Sequence, residues 1–235
     1  MSSEPSFEGG GRRASLTFRV SPRARVLRLR VDRRTGAIVL TLPPRASKRR
    51  AIEWAEGHRA WIERQLGEVA AAERIVPGAL VPLEGEPHRV DWSPERPRTV
   101  GAEPGRILVG GPEENVEARV VRWLKRRALD LLSEETREFA ALAGVSVVRV
   151  AVGDPVSRWG SCSAAGGLRY SWRLILAPAF VRRATVAHEV AHRVHMHHGP
   201  EFHALVETLA GADAKRARLW LRRHGASLHR IAPRG

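Results

Sequence analysis

The stretch VAHEVAHRVHMHHG, residues 186–199, holds five of the chain's ten histidines. Such a segment is either a polar helix end or a helix that turns its imidazoles toward one shared point. The flanking residues decide between the two. ATVAHEVAHRV is apolar around its histidines, so they sit partly buried on a packed helix. Burying unpaired imidazoles and a carboxylate there is costly, and a shared metal removes that cost. His188, Glu189 and His192 spell H-E-x-x-H. At about 100° per residue, positions i and i+4 lie roughly 40° apart on one helix face, so both rings can reach one ion. Glu189 lies about 100° round from His188. It stands beside the ion, where it can take a proton from a metal-bound water. Zinc lowers the pKa of such a water to about 7. A structural zinc site, closed by four protein ligands, has no use for a neighbouring base, so Glu189 marks an open, catalytic site.

Two histidines leave a third ligand to find among His195, His197, His198 and His203. His195 shares the face of His188, but on a continuous helix it lies about 10 Å further along the axis. Ligand atoms sit only about 2 Å from zinc, so His195 misses the ion. His198 reaches it if the chain turns after about residue 195. HMHHGP supports such a turn, because Gly199 permits positive φ and Pro200 can start a new helix. The resulting ligand spacing is that of H-E-x-x-H-x-x-G-x-x-H, with His195 in place of the glycine. His198 is therefore the selected ligand, with His197 and His203 competing as solvated or capping residues.

The rest of the chain reads as α+β. Residues 1–14 form a tail of Ser, Gly, Pro and Glu expected to be disordered. ASLTFRV, RVLRLRVD and GAIVLTLP alternate with period two and predict a three-strand antiparallel meander, one face apolar and one carrying arginines. One helix follows through RRAIEWAEGHRAWIERQL, then short strands, giving a β-rich N-terminal subdomain over residues 15–110. Residues 111–227 form the second domain: a long amphipathic helix with Pro112 near its start and Gly144 at its stop, a small sheet, the metal helix, and two C-terminal helices closed by Gly211 and Gly225. Residues 228–235 are a second tail. No internal repeat is visible in the sequence.

Composition narrows the function classes. No apolar run approaches the roughly 18 residues needed to span a bilayer, and MSSEPSFEGGGRRAS has no apolar signal core, so no membrane role is expected. A single cysteine, Cys162, allows no intrachain disulfide and fits a reducing cytoplasm. Cys162 reads as packing rather than as a nucleophile. The net charge is +15, carried almost wholly by Arg, since Lys48, Lys125 and Lys215 are the only lysines. That charge suits phosphate or nucleic acid, but it is spread along the chain rather than gathered in one tail, as a general Arg bias would also give. FEGGGRRAS lacks the spacing and lysine of a phosphate-binding loop. WGSCS is not a G-x-S-x-G elbow. In SRWGSC, Arg158 can steady an anionic substrate or transition state, and Trp159 can wall a pocket.

SRWGSCS followed by WRLILAP, the VAHEVAHRVHMHHGPEFHALV segment, and the meander with IEWAEGHRAWIERQL together resemble the YgjP-like metal-dependent hydrolases, relatives of the SprT-like and other zincin metallopeptidases. The resemblance covers about residues 15–225. It implies a zincin-like unit with His188, His192 and His198 on zinc and Glu189 as general base. The chain departs from the family's Asn-His-Ser around the third ligand, with His197-His198-Gly199. It also departs from the following aromatic pair, with Phe202-His203. Glu201, Glu207 and Asp213 are the carboxylates available to orient the ligands. The resemblance favours a peptide substrate. It also implies, as an alternative, hydrolysis of a nucleoside triphosphate such as UTP to release pyrophosphate. A further alternative is a nucleic-acid-associated metalloprotein whose Arg-rich surface contacts phosphates. The sequence does not indicate the oligomeric state.

Overall fold

The protein is α+β. The computed structural model describes residues 6–9, 12–32, 36–68 and 73–232. The chain divides into two compact units, residues 1–72 and residues 73–234.

The first unit is a four-stranded sheet with two helices. Its strands are β1 (Ser6–Gly9), β2 (Arg12–Val20), β3 (Arg28–Val31) and β4 (Ile38–Leu42), in the order β1-β2-β4-β3. β2 runs parallel to β4, and β3 is antiparallel to β4. The expected antiparallel meander is therefore not the topology. Alternation assigns the face of each strand and leaves its neighbours open. β4 is the most apolar strand, with Ile38, Leu40 and Leu42 at 0–1% exposure, and a place between two partners buries it best. Part of the expected N-terminal tail is also structured. Phe7 is buried opposite Ala14, and the Arg59 guanidinium lies 4.5 Å from the Phe7 ring centre. The expected single helix is two, α1 (Lys48–Glu56) and α2 (Arg59–Glu68). The break falls at Gly57 and His58, where the His58 ring Nδ1 lies 2.8 Å from the Trp54 carbonyl that α1 leaves open. Ala51, Ala55, Ile62 and Leu66 close the core of this unit over β4.

The second unit begins 38 residues before the expected boundary at 110/111, because the strands of residues 73–110 bury their apolar face with the helices that follow. β5 (Leu80–Leu83), β6 (Glu86–Ser93), β7 (Gly101–Glu103) and β8 (Arg106–Gly110) form a sheet in the order β5-β6-β8-β7. Val81, Leu83, Val90, Ile107 and Val109 share one core with Val120, Leu124 and Leu132 of α3 (Val116–Leu142). This sheet repeats the order and strand directions of the first, an antiparallel outer pair on each side of a central parallel pair. The two sheets share topology with no visible sequence repeat. Gly144, at φ +65°, ends α3 as expected, and Val145 N–H donates back to the Ala140 carbonyl.

A third sheet follows, with the order β10-β11-β9, where β9 is Arg149–Gly153, β10 Gly160–Cys162 and β11 Gly167–Ser171. A 3₁₀ turn at Trp172–Leu176 leads into α4 (Ala179–Ala191), then α5 (Pro200–Ala210) and α6 (Asp213–Arg230). Two expectations fail at α6. Gly225 lies inside the helix, where a Cβ would come within 2.8 Å of the Trp159 ring, so glycine serves packing there. The expected tail from residue 228 is anchored. Leu228, Ile231 and Ala232 are buried, and the carbonyls of all three accept from the Arg173 guanidinium.

Candidate metal centre

α4 carries His188 and Glu189 in its last turn, and His192 is the residue that ends it. The chain leaves the helix there, earlier than the turn expected after residue 195. Val194 and His195 N–H groups both close back onto the Ala191 carbonyl. The His195 carbonyl then lies 3.1 Å from His192 Nδ1. His195 thus serves through its backbone, accepting from Nδ1–H and leaving His192 Nε2 with a free lone pair.

The turn swings His198 back over α4, and its Nε2 comes within 3.3 Å of His188 Nε2. One ring nitrogen from each of His188, His192 and His198 falls within 4.8 Å of the others, a group that could hold a metal ion. Phe202, fully buried on α5, packs against all three rings with centroids 4.5–4.9 Å away and forms the apolar wall of the cluster. His203 stacks on His198 at 6.3 Å and meets Phe202 edge-on at 5.5 Å, and it lies outside the group. Of the carboxylates expected to orient the ligands, Glu207 pairs with Lys215 and Asp213 with Arg216. The orienting acceptor seen here is a backbone carbonyl instead.

Glu189 is 6% exposed. Burial pushes its carboxyl up to about 7, against the opposing pull of the Arg158 charge. Its seat is made by Gly160 of β10, where a Cβ would stand 2.5 Å from Glu189 Cγ and Oε1. The glycine of SRWGSC is the gap into which the carboxylate fits. His188 is held down to about 4, first by burial and then by His192 and His198, and burial also lowers His192. Both shifts favour the unprotonated ring, which is the form metal ligation requires.

His188 and Glu189 open on one cavity of about 300 Å³, shared with Arg158, Trp159, Thr185 and Arg218. Arg158 and Trp159 both line this cavity. Trp159 is also a structural wedge, packed on Gly225 and 5.0 Å from the His229 ring.

A family model for the YgjP-like metallopeptidase domain matches residues 25–224. The chain belongs to the YgjP-like family. Its family is one of metal-dependent hydrolases, which implies a divalent metal, and the donor set of three imidazoles fits one. No curated protein and no solved structure matches the chain. Among the described residues of this YgjP-like chain, no helix is long and apolar enough to cross a membrane.

The sequence names Phe202 without its role as the wall of the cluster, and does not single out Gly160 as the seat of Glu189 or Arg218 at the cavity. Phe202 had a usable signal, since it stands four residues after His198 at the start of a helix. Arg218 had none, being one of several arginines in DAKRARLWLRR.

The burial of Glu189 carries a stability cost with a definite pH window. Burial raises its folded pKa to about 7, above the ordinary carboxyl value of 4.5, so the folded state binds its proton more tightly. Stability from that proton is present below pH 4.5 and is lost as pH rises through 7. Metal-free Glu189→Gln is therefore expected to be more stable than metal-free wild type at pH 8, by on the order of 1–3 kcal/mol, with the gap closing near pH 4.5. Thermal melts of both proteins across that range check this; a pH-independent gap would refute it.

Proposed function

We propose that the chain is a zinc-dependent hydrolase, and most specifically a metallopeptidase, in which His188, His192 and His198 hold the metal and Glu189 is the general base. The observation that carries this reading is the buried Glu189 carboxylate, which shares one cavity with His188 and has no guanidinium or backbone donor tying it down among the described contacts. Zinc held by three imidazoles supplies Lewis acidity, which polarises a carbonyl and makes a nearby water acidic.

The chain's own residues do the rest. Glu189 is placed on the same cavity as His188, where it can take a proton from the attacking water and return it to the leaving amine. The proton acceptor is Glu189 Oε1 or Oε2, positioned by Gly160. Trp159 and Thr185 narrow the cavity. Arg158 and Arg218 lie at its wall, where guanidinium N–H groups favour negative charge developing on the attacked group. A structural metal site would need none of these groups.

The test is to quantify metal in the purified protein and in Glu189→Gln, then incubate each with casein and with UTP. The expected result is about one zinc per chain in both proteins and peptide release by the wild type only. Release of pyrophosphate from UTP without peptide release would move the reading to a nucleotide hydrolase. Failure to bind zinc after reconstitution would overturn it altogether.

A further inference from the structure

The third sheet turns two faces to different surroundings. Leu168 and Tyr170 of β11 point into the core. The opposite face carries Arg149, Ala151 and Gly153 on β9, Gly167 and Arg169 on β11, and Ser161 on β10, in register across the sheet. Apart from the two arginines, every one of these residues is small. Between its arginines the face is therefore a trough. Arg169 lies over Gly153, where a Cβ would be 2.7 Å from its Nε and Nη2. The resulting groove is about 590 Å³, and Arg158 lines both it and the metal cavity.

The charge of this groove is unbalanced. No carboxylate lines it. Several arginines of the same unit pair instead with carboxylates, Arg173 with Asp154, Arg182 with Glu135, Arg183 with Glu138 and Arg127 with Glu84. General Arg bias accounts for abundance; the fold brings Arg149, Arg158 and Arg169 together along one groove, and Arg158 joins that groove to the cavity. Guanidinium forks match carboxylates and phosphates, which is the shared chemistry such a groove selects.

We infer that this groove is a substrate subsite for acidic peptide segments, in which Arg149 and Arg169 bind Glu or Asp side chains beside the bond to be cleaved and Arg158 links the subsite to the metal cavity. The inference rests on the peptidase reading for the identity of the anion as a carboxylate. A peptide is favoured because the groove is open, runs along β9 and β11 with Arg149 and Arg169 on one face, and adjoins the cavity of His188 and Glu189 through Arg158.

The test uses two fluorescein-labelled peptides, one with a run of Glu and its Gln isostere. Their binding to the metal-free protein is measured by anisotropy, and their cleavage by the zinc-loaded protein is measured separately. The acidic peptide is expected to bind roughly five- to tenfold more tightly, a preference that weakens with salt. Arg149→Gln/Arg169→Gln is expected to abolish the preference without changing binding of the Gln peptide, and the corresponding double Lys variant is expected to retain most of it. Preferential binding without cleavage of either peptide would support the subsite while removing the peptidase reading. Equal binding of both peptides overturns the subsite. UTP displacing the acidic peptide, with an affinity of its own that falls in the Gln variant, also overturns it, because the anion would then be phosphate.

Discussion

Gly160→Ala is expected to inactivate the protein as thoroughly as Glu189→Gln, although position 160 carries no chemistry of its own. The added Cβ would stand 2.5 Å from Glu189 Cγ and Oε1 and 2.7 Å from Cδ, and no pair of such atoms can remain there. The backbone cannot yield easily. Gly160 is paired with Tyr170, and the Trp159 carbonyl next to it accepts from Ser171 N–H. The side chain that moves is therefore Glu189, and its carboxylate leaves the place from which it reaches water. Loss of a general base costs about 10²- to 10⁴-fold in rate, and both single variants should fall in that range. Zinc content should stay near wild type in both, because the three imidazoles lie on α4 and the turn after it. The double variant should be no worse than either single one, since the second change removes a group the first has already displaced. Measured kcat/KM values with zinc stoichiometry decide this. Gly160→Ala activity within a few-fold of wild type would show that Glu189 does not need this seat.

The different legibility of Glu189 and Gly160 has a physical origin. H-E-x-x-H is local: the helix repeat alone puts His188 and His192 on one side and Glu189 beside them. His198 was reachable because Gly199 and Pro200 announce a turn and a new helix. The same local reasoning placed the turn too late, since nothing in the sequence says that the Ala191 carbonyl will collect two N–H groups. Gly160 looks like any turn glycine until β10 is laid against α4. Strand order was equally hidden. The alternation of RVLRLRVD and GAIVLTLP tells which side chains face inward, but the choice of β4 as the inner strand depends on comparing the apolar content of all four. The outward arginines of β9 and β11 read singly as solvated residues, and they become a groove only when parallel pairing brings Arg149 and Arg169 onto one face.

Arg173 is the position where the sequence was least informative and where the largest loss of stability is expected. In WRLILAP it reads as a polar residue at the edge of an apolar run, yet it is fully buried. Its Nε donates to Asp154 Oδ1 at 2.8 Å and its Nη2 to Oδ2 at 3.3 Å. Nη1 donates to the Leu228 and Ile231 carbonyls at 2.6 Å each, and Nη2 also to the Ala232 carbonyl at 3.3 Å. One guanidinium thus neutralises a buried carboxylate and supplies donors to the chain at and beyond the end of α6, where helix carbonyls have no partner of their own. Arg173→Met keeps the volume and removes every one of those donors. Breaking a buried pair from one side costs about 3–5 kcal/mol, because the remaining charge stays buried without its partner. For a unit of this size the expected drop in Tm is roughly 6–20 °C. Arg173→Lys should recover little, since a single ammonium cannot satisfy Asp154 and three carbonyls in their planar arrangement. Removing residues 228–235 should cost a comparable amount, because it takes away the acceptors together with buried Leu228 and Ile231. The effect should also reach the metal cavity, because α6 carries Arg218 on its wall and Gly225 beneath Trp159. Denaturant titrations of the two substitutions and the truncation measure the loss directly. An Arg173→Met protein within about 1 kcal/mol of wild type would mean that Asp154 and the carbonyls find water or other donors when the guanidinium is gone.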